Sequence, residues 1–269
     1  MKVCLLTGVS GTIGYAIARA LKGSGDSGDA WYIIALGRRP PPPSITDVDG
    51  KPPERLPYDS FVKISDMTDE AAVSSALDGH FEFLKASDDT RQLDRLDLLI
   101  NCAGCSLGND PIADVSAEAF KTVMEVNVLV PFILSRYAMG KMAASCGGGR
   151  IINIGSIAGE SPRLHSVPYT TSKFALGGLT RALSVEGRNL ARTTKTDVDG
   201  VVAVCQINPG NVRSSIMSAE EAARREKEEG FVEVVDLANY VATVANLPNE
   251  ANVLESTVMP TRQPLVGRG

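Results

Sequence analysis

Short apolar runs rich in β-branched residues alternate along this chain with longer segments whose apolar positions follow helical spacing. The runs of strand length are Val3–Leu6, Tyr32–Leu36, Phe61–Ile64, Leu96–Ile100, Ile151–Ile154 and Val201–Ile207, with a further short run at Val253–Met259. Apolar strands that alternate with helices are typical of a parallel sheet covered on both faces. The pattern therefore predicts an α/β fold built on a doubly wound parallel β-sheet.

Three of the predicted helices begin with a hydroxyl side chain placed just before acidic residues. A hydroxyl at the N-cap accepts a hydrogen bond from a free backbone N–H, and acidic side chains in the first turn interact favourably with the helix dipole. The residues that mark these starts are Thr68, Ser116 and Ser218. Ser218 also stands three residues before Glu221, which is the spacing of a capping box.

The connection after the second predicted strand lacks the pattern of a crossover helix. Seven prolines lie between Pro40 and Pro57, and proline has no backbone N–H with which to sustain a helix. We predict an irregular Pro-rich loop over residues 40–59, beside the adenosine end of any bound dinucleotide, and a disordered surface insertion without a role is the alternative. The rest of the chain predicts one domain over residues 1–269, a length that a single α/β domain commonly reaches.

Composition and hydropathy argue against binding to nucleic acid and against a membrane span. The chain has 27 basic and 32 acidic residues and a formal net charge of −5, without the basic excess that binding to nucleic acid needs. No apolar run approaches the roughly 20 residues that cross a bilayer, and Met1–Thr7 leads at once into a Gly-rich turn, so neither a membrane span nor a signal peptide is expected. The five cysteines are sparse and odd in number, which favours a reducing, cytoplasmic setting.

A Gly-rich turn, Gly8-Val9-Ser10-Gly11-Thr12-Ile13-Gly14, joins the first predicted strand to the helical pattern Tyr15–Leu21. Glycines suit a junction where the chain turns tightly, lets a pyrophosphate approach the backbone and directs a helix N-terminus at its negative charge. The predicted dinucleotide contacts of this turn are Gly8, Ser10, Gly11, Thr12, Ile13 and Gly14. A purely structural strand-to-helix turn is the alternative.

A second cofactor signal lies at the end of the second predicted strand. Gly37 stands where an acidic side chain would bind the adenosine ribose of NAD, and Arg38 and Arg39 follow it. Guanidinium groups suit the 2′-phosphate that NADP has and NAD lacks. We therefore predict that Arg38 and Arg39 bind NADP, with a solvated basic pair at a strand end as the alternative.

Candidate reacting groups lie in the second half of the chain. Tyr169 and Lys173 are four residues apart in the helical stretch Tyr169–Leu183, so both project from one helix face. A tyrosine hydroxyl can deliver a proton to a carbonyl oxygen that gains negative charge on hydride transfer, and a nearby ammonium favours the ionised phenol. The hydroxyl of Ser156, at the end of a predicted strand, can steady the substrate oxygen. A serine-hydrolase role for Ser156 is excluded, because its turn is not Gly-x-Ser-x-Gly and only two histidines exist to act as base.

Asn127 lies inside the helical pattern Phe120–Tyr137, four residues before Pro131. Pro131 has no N–H to bond the Asn127 carbonyl, so this carbonyl is expected to be free and the helix to bend. A kink in an interface helix with no catalytic part is the alternative.

These motifs resemble the short-chain dehydrogenase/reductase (SDR) family over nearly the whole chain. The turn that begins Thr7-Gly8 is similar to the family's Thr-Gly-x-x-x-Gly-x-Gly, and Asn127, Ser156, Tyr169 and Lys173 follow in family order and spacing. The resemblance implies a Rossmann fold, NADP as cofactor, Lys173 bound to the nicotinamide ribose and a proton-relay water on the Asn127 carbonyl. It also implies further cofactor contacts at Asp66, Met67, Asn101, Ala103, Gly104, Tyr169, Lys173, Pro209, Gly210, Val212 and Ser214.

Two positions depart from the family pattern. Thr12 occupies the place of the middle glycine, and Cys102 replaces the second residue of an Asn-Asn-Ala-Gly segment. The Cys102-x-x-Cys105 spacing that results is also that of a redox pair or half of a zinc site, but no second Cys or His pair lies nearby, and no metal is expected.

The expected function is NADP-dependent hydride transfer between the nicotinamide and a small carbonyl or secondary alcohol, a small-molecule substrate. The alternative is a catalytically idle NADP-binding sensor or scaffold of the same fold. Residues 211–230 are expected to form a substrate-side helix and loop, either a mobile lid or a passive surface helix. By analogy with the family, we expect a homodimer or homotetramer formed through the helices that carry Asn127 and Tyr169.

Overall fold

A single sheet of seven parallel strands forms the centre of the computed structural model, which describes residues 1–23, 31–41, 56–87, 92–146, 148–190, 192, 200–213 and 219–265. The strands are β1 Val3–Thr7, β2 Tyr32–Gly37, β3 Ser60–Lys63, β4 Leu98–Asn101, β5 Gly149–Ile154, β6 Val202–Pro209 and β7 Glu255–Val258. Their order across the sheet is β3-β2-β1-β4-β5-β6-β7. The order reverses between β1 and β4, and a sheet of this kind binds ligands at the carboxyl ends of the strands beside such a reversal.

Helices cover both faces of the sheet. The described helices are α1 Thr12–Gly23, α2 Glu70–Ser87, α3 Ala117–Met124, α4 Val130–Cys146, α5 Val167–Arg188, α6 Ala219–Glu228 and α7 Val234–Ala245. One apolar cluster joins the sheet to α2, α4 and α5, and a second joins its other face to α1 and α7. Alternate residues of β1 divide between the two clusters, because successive side chains of a strand point to opposite faces. The predicted doubly wound α/β fold is confirmed.

Helix starts agree with the sequence prediction at one site and differ at another. Ser116 caps α3, accepting the N–H of Ala119 at 3.1 Å. The prediction that Thr68 marks the start of α2 is wrong by one residue, because the carboxylate of Asp69 accepts the N–H of Ala72 at 3.0 Å. The Thr68 hydroxyl instead donates to Asp66. Ser218 lies outside the described residues.

The predicted helix Phe120–Tyr137 is divided by a π-helical turn over Glu125–Leu129. In this turn the N–H of Val130 donates to the carbonyl of Glu125, five residues back. Pro131 follows directly and has no N–H for the carbonyl of Asn127, so the regular pattern of hydrogen bonds cannot continue through this point. The irregularity expected at Asn127 is therefore present.

Only the two ends of the predicted Pro-rich loop are described. Residues 40–41 and 56–59 are not helical, and residues 42–55 lie outside the described part of the chain. Among the described residues, no helix is both long enough and apolar enough to span a membrane.

Candidate active site

The Gly-rich turn lies at the carboxyl end of β1, beside the reversal in strand order. Gly8 has a φ of +78°, and a Cβ there would stand 2.8 Å from the backbone nitrogen of Ala103. A Cβ on Gly14 would collide with the carbonyl oxygen of Gly8, whereas one on Gly11 would stand 3.5 Å from it. Gly8 and Gly14 therefore allow the turn to pack against itself and against the chain that follows β4.

The same turn begins helix α1 at Thr12 and leaves Ser10 exposed. A helix N-terminus behind a glycine turn offers backbone N–H groups and a partial positive charge to an anion. The residues present thus fit the pyrophosphate of a dinucleotide, and Thr12 stands at the helix start, half-buried, where the family pattern has glycine.

The side chain of Thr7 fixes the adjoining end of β4. Its hydroxyl oxygen accepts the N–H groups of Cys102 and Ala103, each at 3.0 Å. This contact holds Ala103, one of the predicted cofactor contacts, against the Gly-rich turn. The turn motif includes Thr7, but nothing in the local sequence indicates that its hydroxyl reaches the chain after a distant strand.

The basic pair follows β2 directly. Arg38 and Arg39 are exposed, and neither takes part in an ion pair within the described part of the chain. Asp66, after β3, is also exposed, and its carboxylate accepts the hydroxyl and the N–H of Thr68 at 2.6 and 2.8 Å. These two hydrogen bonds, led by that of the hydroxyl, lower the pKa of Asp66. Met67 is half-buried against the apolar core.

The structure brings Ser156, Tyr169 and Lys173 to the carboxyl end of β5. Lys173 is buried, and its Nζ donates to the carbonyl of Ile154 at 3.0 Å and lies 5.5 Å from the centre of the Tyr169 ring. Ser156 comes two residues after Ile154, and its hydroxyl oxygen accepts the N–H of Ala158 at 3.1 Å. The ammonium of Lys173 is therefore held between the phenol and the end of the strand that carries Ser156.

The side chain of Asn127 forms hydrogen bonds with two other parts of the site. Its carboxamide accepts the N–H of Cys105 and donates to the Cys105 carbonyl, both at 2.9 Å, and also donates to the hydroxyl of Ser172 at 2.9 Å. A Cβ on Gly104 would stand 3.3 Å from the Asn127 Oδ1 and 3.9 Å from the Lys173 Nζ. The π turn, the chain after β4 and helix α5 thus meet at Asn127, so all four predicted catalytic residues belong to one site.

The chain after β6 borders the same edge of the sheet. Gly210 donates its N–H to the Val258 carbonyl at 2.8 Å, and Val212 forms a bridge with Val232. Pro209, Gly210 and Val212 therefore lie in a segment fixed at both ends. Ser214, the last predicted cofactor contact, lies outside the described residues.

Comparison with known proteins shows which family the chain belongs to. The family model of the short chain dehydrogenases matches residues 53–225, which is more than half of the chain. The chain belongs to the short-chain dehydrogenase family. An uncharacterized oxidoreductase of Staphylococcus epidermidis is 28% identical over 268 residues, covering 96% of this chain and 97% of that protein. Sulfoacetaldehyde reductase 2 of Chromohalobacter salexigens is 26% identical over 270 residues, covering 97% and 95%.

A solved structure also resembles this short-chain dehydrogenase along its whole length. The alcohol dehydrogenase of the archaeon Thermococcus sibiricus, complexed with 5-hydroxy-NADP, superposes with a TM-score of 0.72 at 20% identity and covers 98% of both chains. At this level of identity the likeness shows the fold, which is the Rossmann-type sheet of the family.

A network of buried polar side chains crosses the sheet of this dehydrogenase below the site. Asn101, predicted to contact the cofactor, donates from its amide to Asn153 at 2.8 Å and to Ser135 at 3.4 Å, so this amide is directed into the protein. The other hydrogen bonds of the network are Asn153 to Thr180, Thr180 to Gln206, Gln206 to Asn208 and Asn208 to Glu160. Nothing in the local sequence distinguishes these polar residues from their neighbours.

The two cysteines of the Cys102-x-x-Cys105 segment are free thiols. Burial raises the pKa of Cys102 to about 12, and burial also raises that of Cys105 against the opposing effect of Lys173 and Arg38. Reactive or metal-binding cysteines need lowered pKa values, so this environment favours neither role. Among the described residues, no group of three or more His, Cys, Asp or Glu side chains is placed to hold a metal ion.

Proposed function

We propose that the protein is an NADP-dependent oxidoreductase acting on a small ketone, aldehyde or hydroxy acid. The observation that carries this proposal is the contact of the Lys173 ammonium with both the Tyr169 ring and the end of β5, beside a glycine turn shaped for a dinucleotide. Candidate groups for proton transfer and for cofactor binding therefore lie at one edge of the sheet.

Different residues would hold different parts of the cofactor. The Gly-rich turn and the start of α1 would take the pyrophosphate, Asp66 and Met67 the adenine side, and the segment Pro209–Val212 the nicotinamide side. When bound, the nicotinamide supplies or accepts the hydride. Lys173 is placed to hold the adjoining ribose as well as the tyrosine.

Tyr169 would exchange a proton with the substrate oxygen as its charge changes. The ammonium of Lys173, fixed by the Ile154 carbonyl, stabilises negative charge on the phenol oxygen. Ser156 donates its hydroxyl hydrogen to the same substrate oxygen and holds it beside Tyr169. Such general acid–base catalysis contributes on the order of 10²–10⁴-fold to a rate.

Arg38 and Arg39 support the choice of NADP over NAD. Both are exposed at the end of β2, where the adenosine ribose would lie, and Gly37 offers no carboxylate to bind a ribose hydroxyl. Two guanidinium groups there attract the 2′-phosphate of NADP. NAD has no such phosphate, so the same groups contribute little to its binding. A cytoplasmic location, which we also propose, fits both the free thiols and this cofactor.

Assembly with further copies of the chain is part of the proposal. Val167, Phe174 and Val185 are exposed on α5 at spacings of seven and eleven residues, which place them on one helix face. Leu129 is exposed on the π turn, which contacts α5, and Phe132 is exposed at the start of α4, which follows the π turn. Exposed apolar side chains on neighbouring helices favour a homodimer or homotetramer, and sedimentation as a monomer would contradict this.

The experiment measures oxidation of NADPH and of NADH by the purified protein with a panel of small ketones, aldehydes and keto acids. Turnover that depends on a carbonyl and prefers NADPH is expected. Preference for NADH would overturn the assignment of Arg38 and Arg39. Tight NADPH binding without turnover of any carbonyl would favour the idle sensor, although all four reacting residues are present and assembled here.

A further inference from the structure

A cluster of buried and half-buried polar side chains joins the segment after β6 to helix α6 and to the C-terminal tail. Asn211 lies in the segment after β6, Arg225 and Glu229 lie in α6 and just beyond it, and Gln263 lies in the tail. Asn211 and Gln263 are only 2% and 3% exposed. The hydrogen bonds of such buried polar groups fix their position, because breaking one leaves an unsatisfied group.

Gln263 uses both ends of its carboxamide. Its Oε1 accepts the backbone N–H of Asn211 at 2.8 Å, and its Nε2 donates to the Glu229 carboxylate at 3.1 Å. The N–H can only donate and the ionised carboxylate can only accept, so the orientation of the carboxamide is determined by its partners. Neither a carboxylate nor an apolar side chain satisfies both partners at once.

The side chain of Asn211 completes the cluster. Its Nδ2 donates to the same Glu229 oxygen at 2.7 Å, and its Oδ1 accepts from Arg225 at 2.8 Å. The carbonyl of Asn211 accepts the N–H of Val232 at 2.9 Å. Each polar group of Asn211 therefore binds a different residue or group of the chain, either in the stretch from Arg225 to Val232 or at Gln263.

The side chain of Gln263 also lies directly against Gly210 in this segment. A Cβ on Gly210 would collide with the Gln263 Oε1 and would stand 2.7 Å from the Met259 Cβ. The tail thus packs against the backbone of Gly210 and Asn211 with no room for a side chain, and a shift of Gln263 would be transmitted to Pro209–Val212.

We propose that Gln263 is a positioning residue that holds the segment Pro209–Val212 in place for the nicotinamide end of the cofactor. The inference rests on the proposed function, because that function gives the segment its role. Gln263 itself does not touch the reacting atoms. It acts through the N–H of Asn211 and through the Glu229 carboxylate that α6 provides.

The test exchanges the carboxamide of Gln263 and the carboxylate of Glu229. Gln263→Glu keeps an acceptor for the Asn211 N–H but places a second carboxylate against Glu229, so the Kd for NADPH should rise about tenfold, the scale of one lost buried hydrogen bond. The double variant Gln263→Glu with Glu229→Gln removes this repulsion, because the new amide at position 229 can donate to the new carboxylate at position 263. The same amide leaves the Asn211 Nδ2 without its acceptor, so the Kd should recover only in part, to about threefold above the original protein's value.

Cofactor binding is measured by NADPH fluorescence, together with KM values and thermal unfolding. The KM for NADPH should rise in Gln263→Glu while the KM for the carbonyl substrate changes by less than about twofold, a split that loss of stability alone would not produce. Thr261→Ala, an exposed position on the same tail, is the matched control and should bind NADPH normally.

Two results overturn the inference. One is an unchanged Kd in Gln263→Glu, and the other is a double variant that folds but binds NADPH no better than the single one. If Gln263→Glu does not fold, Gln263→Met decides, because it keeps the length of the side chain but removes both hydrogen bonds; its Kd for NADPH should rise about tenfold, and an unchanged Kd would overturn the inference. Failure of the unmodified protein to bind NADPH would instead refute the proposed function, and the inference with it.

Discussion

The carboxamide of Asn127 donates to the hydroxyl of Ser172 at a distance of 2.9 Å. Ser172 is fully buried and donates in turn to the Tyr169 carbonyl at 2.7 Å. Two hydrogen bonds therefore connect the π turn to the first turn of α5, which carries the proposed proton donor. The site depends on this connection as well as on the residues that would contact the substrate.

Removal of the Ser172 hydroxyl is expected to slow catalysis without preventing cofactor binding. In Ser172→Ala the Asn127 amide loses a buried partner, at a cost of about 1–3 kcal/mol, and the first turn of α5 is less firmly held. We expect kcat to fall about tenfold, with the Kd for NADPH within about twofold of the original value. Steady-state kinetics and fluorescence titration measure the two quantities.

Thr171→Ala is the control for this variant, because Thr171 is exposed beside Ser172 on the same helix. It should leave kcat unchanged. A Ser172→Ala protein with normal kcat would show that the connection between Asn127 and α5 has no part in catalysis.

The glycines of the first turn should differ sharply in their tolerance of alanine. A Cβ on Gly14 collides with the carbonyl of Gly8 and lies 3.0 Å from the nitrogen of Val9, whereas one on Gly11 has ordinary contact at 3.5 Å. Gly14→Ala should lower the free energy of unfolding by about 1–3 kcal/mol, as overpacking against backbone does. Urea denaturation measures this, and equal stability of Gly14→Ala and Gly11→Ala would refute the described packing.

Arg38 should determine the preference between the two nicotinamide cofactors. Arg38→Ala removes a charge-assisted contact with a 2′-phosphate, worth about 1.5–3 kcal/mol, so the KM for NADPH should rise at least tenfold. The KM for NADH, which has no such phosphate, should change little. Lys121→Ala removes a surface charge on α3 and serves as a control. A parallel rise in both cofactor KM values for Arg38→Ala would contradict the assignment.

Much of the fold could be predicted because the deciding signals are local. For β1 to β5, each predicted apolar run begins and ends within two residues of the observed strand. Ser116 caps α3, as its spacing from the acidic residue indicates. Pro131 lacks an N–H wherever it is placed, so the irregular helix at Asn127 was also predictable. The form of that irregularity, a π turn, depends on how α3 packs against α5 and how α4 packs against the sheet.

Contacts that join distant parts of the chain left no local signal. Thr7 and Ala103 are 96 residues apart, and Asn211 and Gln263 are 52 residues apart. A threonine at a strand end or a glutamine in a tail is an ordinary surface residue by its neighbours alone. Only the folded arrangement shows which distant groups their polar atoms bind, which is why sequence patterns predicted candidate reacting residues but not the residues proposed to position them.

In the proposed mechanism, Tyr169 exchanges the proton with the substrate oxygen. We would measure the turnover number of Tyr169→Phe with NADPH and a responsive carbonyl, together with the Kd of the variant for NADPH. Turnover should fall by a factor on the order of 10²–10⁴, the usual contribution of a general acid, while NADPH binding is retained. Turnover that survives at the original rate in Tyr169→Phe would contradict the claim.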